Sequence, residues 1–164
     1  MAFVHDRPVM TQSLQQTYAP TNRCFGCGPA NDQGLRIESF VDEDGETVTC
    51  TFQPADHHLA FEGVLNGGII GALLDCHSNW TAAYHLMKSV GDEQPPCTVT
   101  ADFHVKLRRP TPMGVPVHLK ARPTSVEGKK AIVEAELEAG GKVCATCTGT
   151  FVAVEEGHPA FHRW

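Results

Sequence analysis

Asn66-Gly67-Gly68 and Asp75 are the residues of this chain best suited to act on a carbonyl group. They lie in Gly63-Val64-Leu65-Asn66-Gly67-Gly68-Ile69-Ile70-Gly71-Ala72-Leu73-Leu74-Asp75-Cys76-His77-Ser78-Asn79-Trp80, which reads as a loop entering an apolar helix. Small residues at a helix start leave backbone N–H groups open to a ligand oxygen. A carboxylate inside an apolar segment is costly to bury unless it is paired or has a task. Together they suggest a site that polarises a carbonyl and supplies a general base or nucleophile. The same residues also have plain structural uses. Asn66 is a good N-cap, the glycines permit close packing, and Asp75 could bond a neighbouring helix terminus.

Spacing constrains the chemistry. Gly67 and Asp75 are eight residues apart, which is about 12 Å along one helix at 1.5 Å per residue. The two cannot reach one reacting carbon from the same chain. A second copy with its helix antiparallel would set its Asp75 opposite the first Gly67. The chemistry therefore calls for a two-fold homodimer with two composite sites.

The elements that must position these residues follow from periodicity. Ile69, Ile70, Leu73, Leu74, His77, Trp80, Thr81, Tyr84 and Met87 recur at helical spacing, and Gly91 and Pro95-Pro96 end the run. Before it, Leu35 to Val41 and Thr47 to Gln53 read as strands joined by a turn at Asp42-Glu43-Asp44-Gly45, and residues 54–65 as a loop. After it come four strand-like runs, Cys97–Arg108, Val115–Ser125, Ala131–Glu138 and Lys142–Val154, with turn residues between them. This predicts an α+β domain over 24–155, an antiparallel sheet wrapped around one long central helix. Two strands, a long helix and four strands is the element order of the hotdog fold. Residues 1–23 read as an N-terminal arm, loosely ordered or packed on a neighbour, and 156–164 as a C-terminal tail without assignment.

Composition bounds the rest. The chain has 164 residues, 41% of them hydrophobic, and a net charge of -6, which suits one globular domain. It has no basic run, which argues against nucleic acid as a partner. No apolar segment reaches membrane-spanning length and the first residues lack a signal-peptide core, so a cytoplasmic protein is expected. Seven cysteines cannot all pair within one chain. Cys24/Cys27 and Cys144/Cys147 imitate a four-cysteine zinc site. The second pair lies on a strand, where residues three apart face opposite ways. The first lacks two further obvious ligands, so a packed, reduced loop without metal is expected.

Three stretches resemble the hotdog-fold acyl-CoA thioesterases, in the branch named after phenylacetic-acid degradation (PaaI-like). They are Cys24-Phe25-Gly26-Cys27-Gly28-Pro29-Ala30-Asn31-Asp32-Gln33-Gly34-Leu35, Gly63 to Gly68 with Asp75 beyond it, and Thr98-Val99-Thr100-Ala101-Asp102-Phe103-His104-Val105-Lys106-Leu107-Arg108-Arg109-Pro110. The family usually has His-Gly-Gly where this chain has Asn66-Gly67-Gly68. Asn66 can donate from its amide but cannot shuttle a proton. The resemblance implies hydrolysis of an acyl-CoA to a carboxylate and free coenzyme A, with no cofactor beyond the coenzyme A of the substrate. It implies that an N–H near Gly67 or Gly68 binds the carbonyl oxygen. Asp75 then acts as base or nucleophile, and Thr100 helps hold water or substrate. It also implies a homodimer, with a dimer of dimers (homotetramer) plausible.

Further candidates surround this set. His58 is a candidate at the mouth, while Ser78 and Asn79 lie about one turn beyond Asp75 and are candidates for the acyl pocket. Lys106, Arg108 and Arg109 could meet coenzyme A phosphates, with Lys129-Lys130 a weaker choice. His77 reads as a core or interface histidine, and Cys76 as buried without an activating cation. Phe61, Trp80, Tyr84 and Met87 form a stripe that is pocket or core. Two rival functions remain: a hotdog acyl-thioester dehydratase, and a non-catalytic acyl-CoA sensor or binding module.

Overall fold

Asn66 starts the long helix by its side chain. Its Oδ1 accepts from the backbone N–H of Gly68 at 2.8 Å and of Ile69 at 3.2 Å, satisfying donors that a helix start leaves unpaired. Helix α2 then runs unbroken over Gly67–Val90. Gly91 ends it at φ 71°, where its N–H and that of Asp92 return to the carbonyls of Lys88 and Met87. The computed structural model describes residues 10–164.

Around α2 the chain forms a short helix α1 (Leu14–Tyr18) and the strands β1 (Phe40–Val41), β2 (Val48–Phe52), β3 (Leu59–Phe61) and β4 (Val64–Leu65). Beyond it come β5 (Thr98–Leu107), β6 (Val117–Glu127), β7 (Lys130–Ala139) and β8 (Lys142–Ala153). Six strands make one antiparallel sheet in the order β1-β2-β6-β7-β8-β5, and β3 and β4 make a separate hairpin. The inner face of the sheet packs on α2 through β5 to β8. Leu73, Leu74, Trp80 and Leu86 join Leu119, Val133, Leu137 and Phe151 in one core, with Ala121, Ala135 and Ala145 lending little bulk beneath the helix. This is the wrapped-helix architecture the element order predicts, and no helix among the described residues is long and apolar enough to cross a membrane.

Three expectations change. Leu35 to Val41 was expected to be a strand, yet ladder pairing begins only at Phe40. The N–H groups of Leu35 and Ile37 go instead to the carbonyls of Phe25 and Gly26, and Arg36 sits at φ 48°. The cysteine-containing loop therefore takes the hydrogen bonds that a strand would need. Residues 54–65 contain the β3–β4 hairpin, turned through Gly63 at φ 80°. Of the N-terminal arm, residues 1–9 lie outside the described residues, and α1 is built into the core. Leu14 is fully buried and its N–H bonds Ser39 O at 2.8 Å.

His77 closes a buried polar relay. Gln15 Nε2 donates to Ser39 Oγ at 3.0 Å, Ser39 Oγ lies 2.8 Å from His77 Nδ1, and His77 Nε2 lies 3.0 Å from Val48 O. A carbonyl only accepts, so the Nε2–H tautomer donates to Val48 and Nδ1 accepts from Ser39. Burial holds the His77 pKa down at about 4, against an ordinary 6.5, with the Val48 carbonyl partly opposing the shift. The sign follows. Above 6.5 neither state protonates this ring, and between 6.5 and 4 only the unfolded chain does. Stability is therefore lost as pH falls through that window, by about 3 kcal/mol at its acid end. The ring is expected to remain neutral in the Nε2–H form at about pH 5.5, read by 15N chemical shifts. A charged imidazolium in the folded chain at that pH would contradict the relay.

Candidate active site

Asp75 sits on the face of α2 that meets β5, partly buried, and Thr100 Oγ1 donates to its Oδ1 at 2.6 Å. Burial raises the Asp75 pKa, the Thr100 hydroxyl lowers it, the neighbouring Cys24 raises it and the Arg163 guanidinium lowers it. One carboxylate oxygen is thus held by Thr100, and the other is left to meet water or a substrate carbon.

At the start of the helix the roles divide. The N–H of Gly68 is taken by the Asn66 cap. Gly67 N–H, one position earlier, is not part of the cap. Because Oδ1 of Asn66 faces the helix, its amide NH2 is free to donate outward. A Cβ on Gly67 would come to 3.2 Å from Leu107 Cδ1, so the end of β5 stands beside the helix N-terminus. Arg109, exposed just past the end of β5, lies near this helix end.

A β-bulge decides which way the rest of β5 faces. Thr100 pairs with Phe151 but Asp102 pairs with Thr150, so Ala101 is an extra residue. Before it, Thr98 and Thr100 face the helix, and Thr98 Oγ1 donates to Asn79 Oδ1. After it the alternation is shifted by one. Val105 joins the core while His104, Lys106 and Arg108 turn to the outer face. There they line a groove of about 520 Å³ with Lys120, Arg122, Thr146 and Thr148. Glu134 and Glu136 line it too. Lys106 and Arg108, whose Nε donates to Thr146 Oγ1 at 3.2 Å, are therefore separated from Asp75 by the sheet.

The remaining candidates are placed as follows. His58 Nδ1 accepts from Ala55 N–H at 3.0 Å, its ring stacks on Phe52, and its carbonyl accepts from Asn66 N–H. It shapes the turn before the cap rather than reaching Asp75. Ser78 and Asn79 are buried, and Ser78 Oγ has no hydrogen-bond partner among the described residues. Trp80 and Met87 belong to the buried core, whereas Phe61 is 64% exposed.

Two contributions had no signal in the sequence. The tail folds back: Trp164 stacks on Trp80 with ring centroids 4.5 Å apart, and Arg163 Nη1 donates to Thr98 O at 2.8 Å. This brings the Arg163 charge near Asp75. The second is the lead-in loop, whose Cys24 and Cys27 sulfurs meet that of Cys76, so that the three lie within 4.8 Å of one another.

The profile of the thioesterase superfamily matches residues 62–145, a span that holds the Asn66 cap, Gly67, Asp75 and Thr100. The chain belongs to the thioesterase superfamily. Among solved structures, a thioesterase superfamily protein from Shewanella loihica PV-4 is 29% identical at a TM-score of 0.63, over 77% of this chain and 98% of its own. A phenylacetic acid degradation-related protein from Ralstonia eutropha JMP134 is 23% identical at 0.63, over 78% and 92%. The E. coli PaaI protein of the phenylacetic acid degradation operon is 16% identical at 0.61, over 74% and 81%. These last two share the fold. No curated protein sequence gives a significant match. Membership of the thioesterase superfamily supports thioester hydrolysis as the general chemistry, in a hotdog fold.

Proposed function

We propose that the protein hydrolyses acyl-CoA thioesters, giving a carboxylate and free coenzyme A. The observation that carries this is the Asp75 carboxylate, held through one oxygen by Thr100 on the inner face and offering the other. Water adds to the thioester carbon, the C–S bond breaks, and the sulfur leaves as the thiol. Asp75 takes the proton of the attacking water, or attacks the carbon itself to form a mixed anhydride that water then opens. Gly67 N–H and the Asn66 amide receive the carbonyl oxygen as it gains negative charge, with the positive end of the α2 dipole behind them. Arg109, just past the end of β5 and near that helix end, suits the phosphates of coenzyme A.

The site is composite in this reading. The unbroken α2 keeps Gly67 and Asp75 about 12 Å apart, so each site takes its Gly67 from one protomer and its Asp75 from the partner. Support comes from β5, an edge strand ten residues long, with Phe103 and Leu107 43% and 59% exposed. A long apolar edge of this kind is normally paired or covered, and a second copy of β5 running antiparallel would do so on a two-fold axis.

A thiol-release assay over acyl-CoAs of differing chain length and aromaticity tests the reaction. Stoichiometric free thiol with at least one acyl group is the expected result. Tight binding without thiol release by any of them would favour a sensor, and hydration without thiol release would favour a dehydratase.

A further inference from the structure

We propose that Cys24, Cys27 and Cys76 form a three-thiolate binding site for one zinc ion, joining the lead-in loop to helix α2 immediately after Asp75. The sequence offers only the Cys24/Cys27 turn, two ligands short of a site. The fold supplies a third from the helix. All three sulfurs lie within 4.8 Å of one another, and those of Cys24 and Cys76 are 3.8 Å apart. Zinc bound to thiolates at about 2.3 Å in tetrahedral geometry sets sulfurs roughly 3.8 Å from each other. A disulfide needs sulfurs about 2.05 Å apart, so these thiols are unbonded to one another and stand at a spacing that fits ligands around an ion.

The surroundings are built for sulfur. Gly28 N–H donates to Cys24 O at 2.9 Å, closing the turn. The N–H groups of Gly26 and Cys27 are directed at the Cys24 sulfur. A Cβ on Gly26 would overlap Cys76 Sγ, and one on Gly28 would overlap the backbone at Cys24 and Asn22. Only glycine at both positions lets the loop close over the helix cysteine. The Trp80 ring is 1% exposed and its Nε1 has no hydrogen-bond partner among the described residues, with the Cys27 thiol close by. An indole N–H can only donate, and a thiolate bound to a cation accepts readily. Three protein ligands leave the fourth zinc position for water or a small ligand. Cys50, Cys97, Cys144 and Cys147 take no part in the cluster.

The test uses the full chain, fully reduced, with metal alone. Co2+ is expected to bind at one equivalent, with a near-ultraviolet sulfur-to-cobalt band and the visible bands of a four-coordinate ion. Zn2+ should displace it stoichiometrically. Excess Zn2+, at ~100-fold over its Kd, should raise the melting midpoint by about 5–10 °C. Cys24→Ser and Cys76→Ser should each weaken Zn2+ binding by more than about 100-fold, and Cys50→Ala should leave it unchanged. The wild-type cobalt spectrum does not depend on any variant folding. Absence of the sulfur-to-cobalt band in the reduced wild type would overturn the proposal. So would a band that survives in folded Cys76→Ser, or a Cys24–Cys76 disulfide that persists in excess reductant. None of these readings involves thioester hydrolysis, so the site stands or falls apart from the proposed activity.

Discussion

Asp75→Asn is expected to lower the rate of thioester hydrolysis by about 10²- to 10⁴-fold, the usual worth of a positioned general base. Acyl-CoA binding should survive, because the asparagine keeps the shape of the side chain and can still meet Thr100 Oγ1, now 2.6 Å from Asp75 Oδ1. Activity is the sensitive readout and circular dichroism the control for folding. The composite site makes a sharper forecast. Gly67→Val should also be inactive, since a side chain there meets Leu107 and fills the space of the carbonyl oxygen. Mixed with Asp75→Asn under conditions that exchange protomers, the two inactive proteins should recover activity. Random pairing leaves one intact site in half the dimers, or about a quarter of the wild-type rate. No recovery from a demonstrably mixed dimer would mean that the two residues do not meet across the interface. An unimpaired Asp75→Asn enzyme would remove the carboxylate from the chemistry altogether.

Trp80→Ala is expected to cause the largest loss of stability of any single change considered. Trp80 is the largest fully buried side chain, and truncating such a residue costs about 3–5 kcal/mol. In a chain of this size that lowers the melting midpoint by roughly 10 °C. The loss should be accompanied by release of the tail, because Trp164 stacks on this ring. Calorimetry measures the first effect, and faster proteolysis of the last residues the second. Trp80→Phe keeps a stacking surface and should retain most of the stability. If Trp80→Ala melts within a degree or two of wild type with its tail protected, the ring is not the anchor described.

Much of this architecture was legible because its signals are local. The Asn66 cap, the three- and four-residue apolar spacing and the breakers from Gly91 onward marked out the helix observed over Gly67–Val90. The four later runs became β5 to β8 because β-branched stretches alternate with turn residues. What was not legible depends on partners distant in sequence. Gln15 reads as a polar arm residue until Ser39 satisfies it. Leu35 and Ile37 read as strand until their N–H groups are seen on the cysteine loop. Within the site, Asp75 and Thr100 were singled out from sequence and are brought into contact by the fold. Lys106 and Arg108 were grouped on one face by alternation and do share one, but alternation alone cannot reveal the upstream bulge that turns that face away from Asp75. Arg163 and Cys76 carry no motif, and only the returning tail and the closing loop bring them to the neighbourhood of the carboxylate.

Ala101, the unpaired residue of β5, behaves like a punctuation mark between two messages. Upstream of it the strand spells the hydroxyl that holds Asp75; downstream it spells an apolar inner side and a cationic outer side. Deleting that one residue would close the ladder, with Thr100 still opposite Phe151 and Asp102 still opposite Thr150, and both words would keep their faces. Phe103, Val105 and Leu107 would stay on the inner side and Lys106 and Arg108 on the outer side, because the strand keeps its partners on β8. The extra residue is slack in the strand, a place where β5 could lose a residue without turning over what lies beyond it.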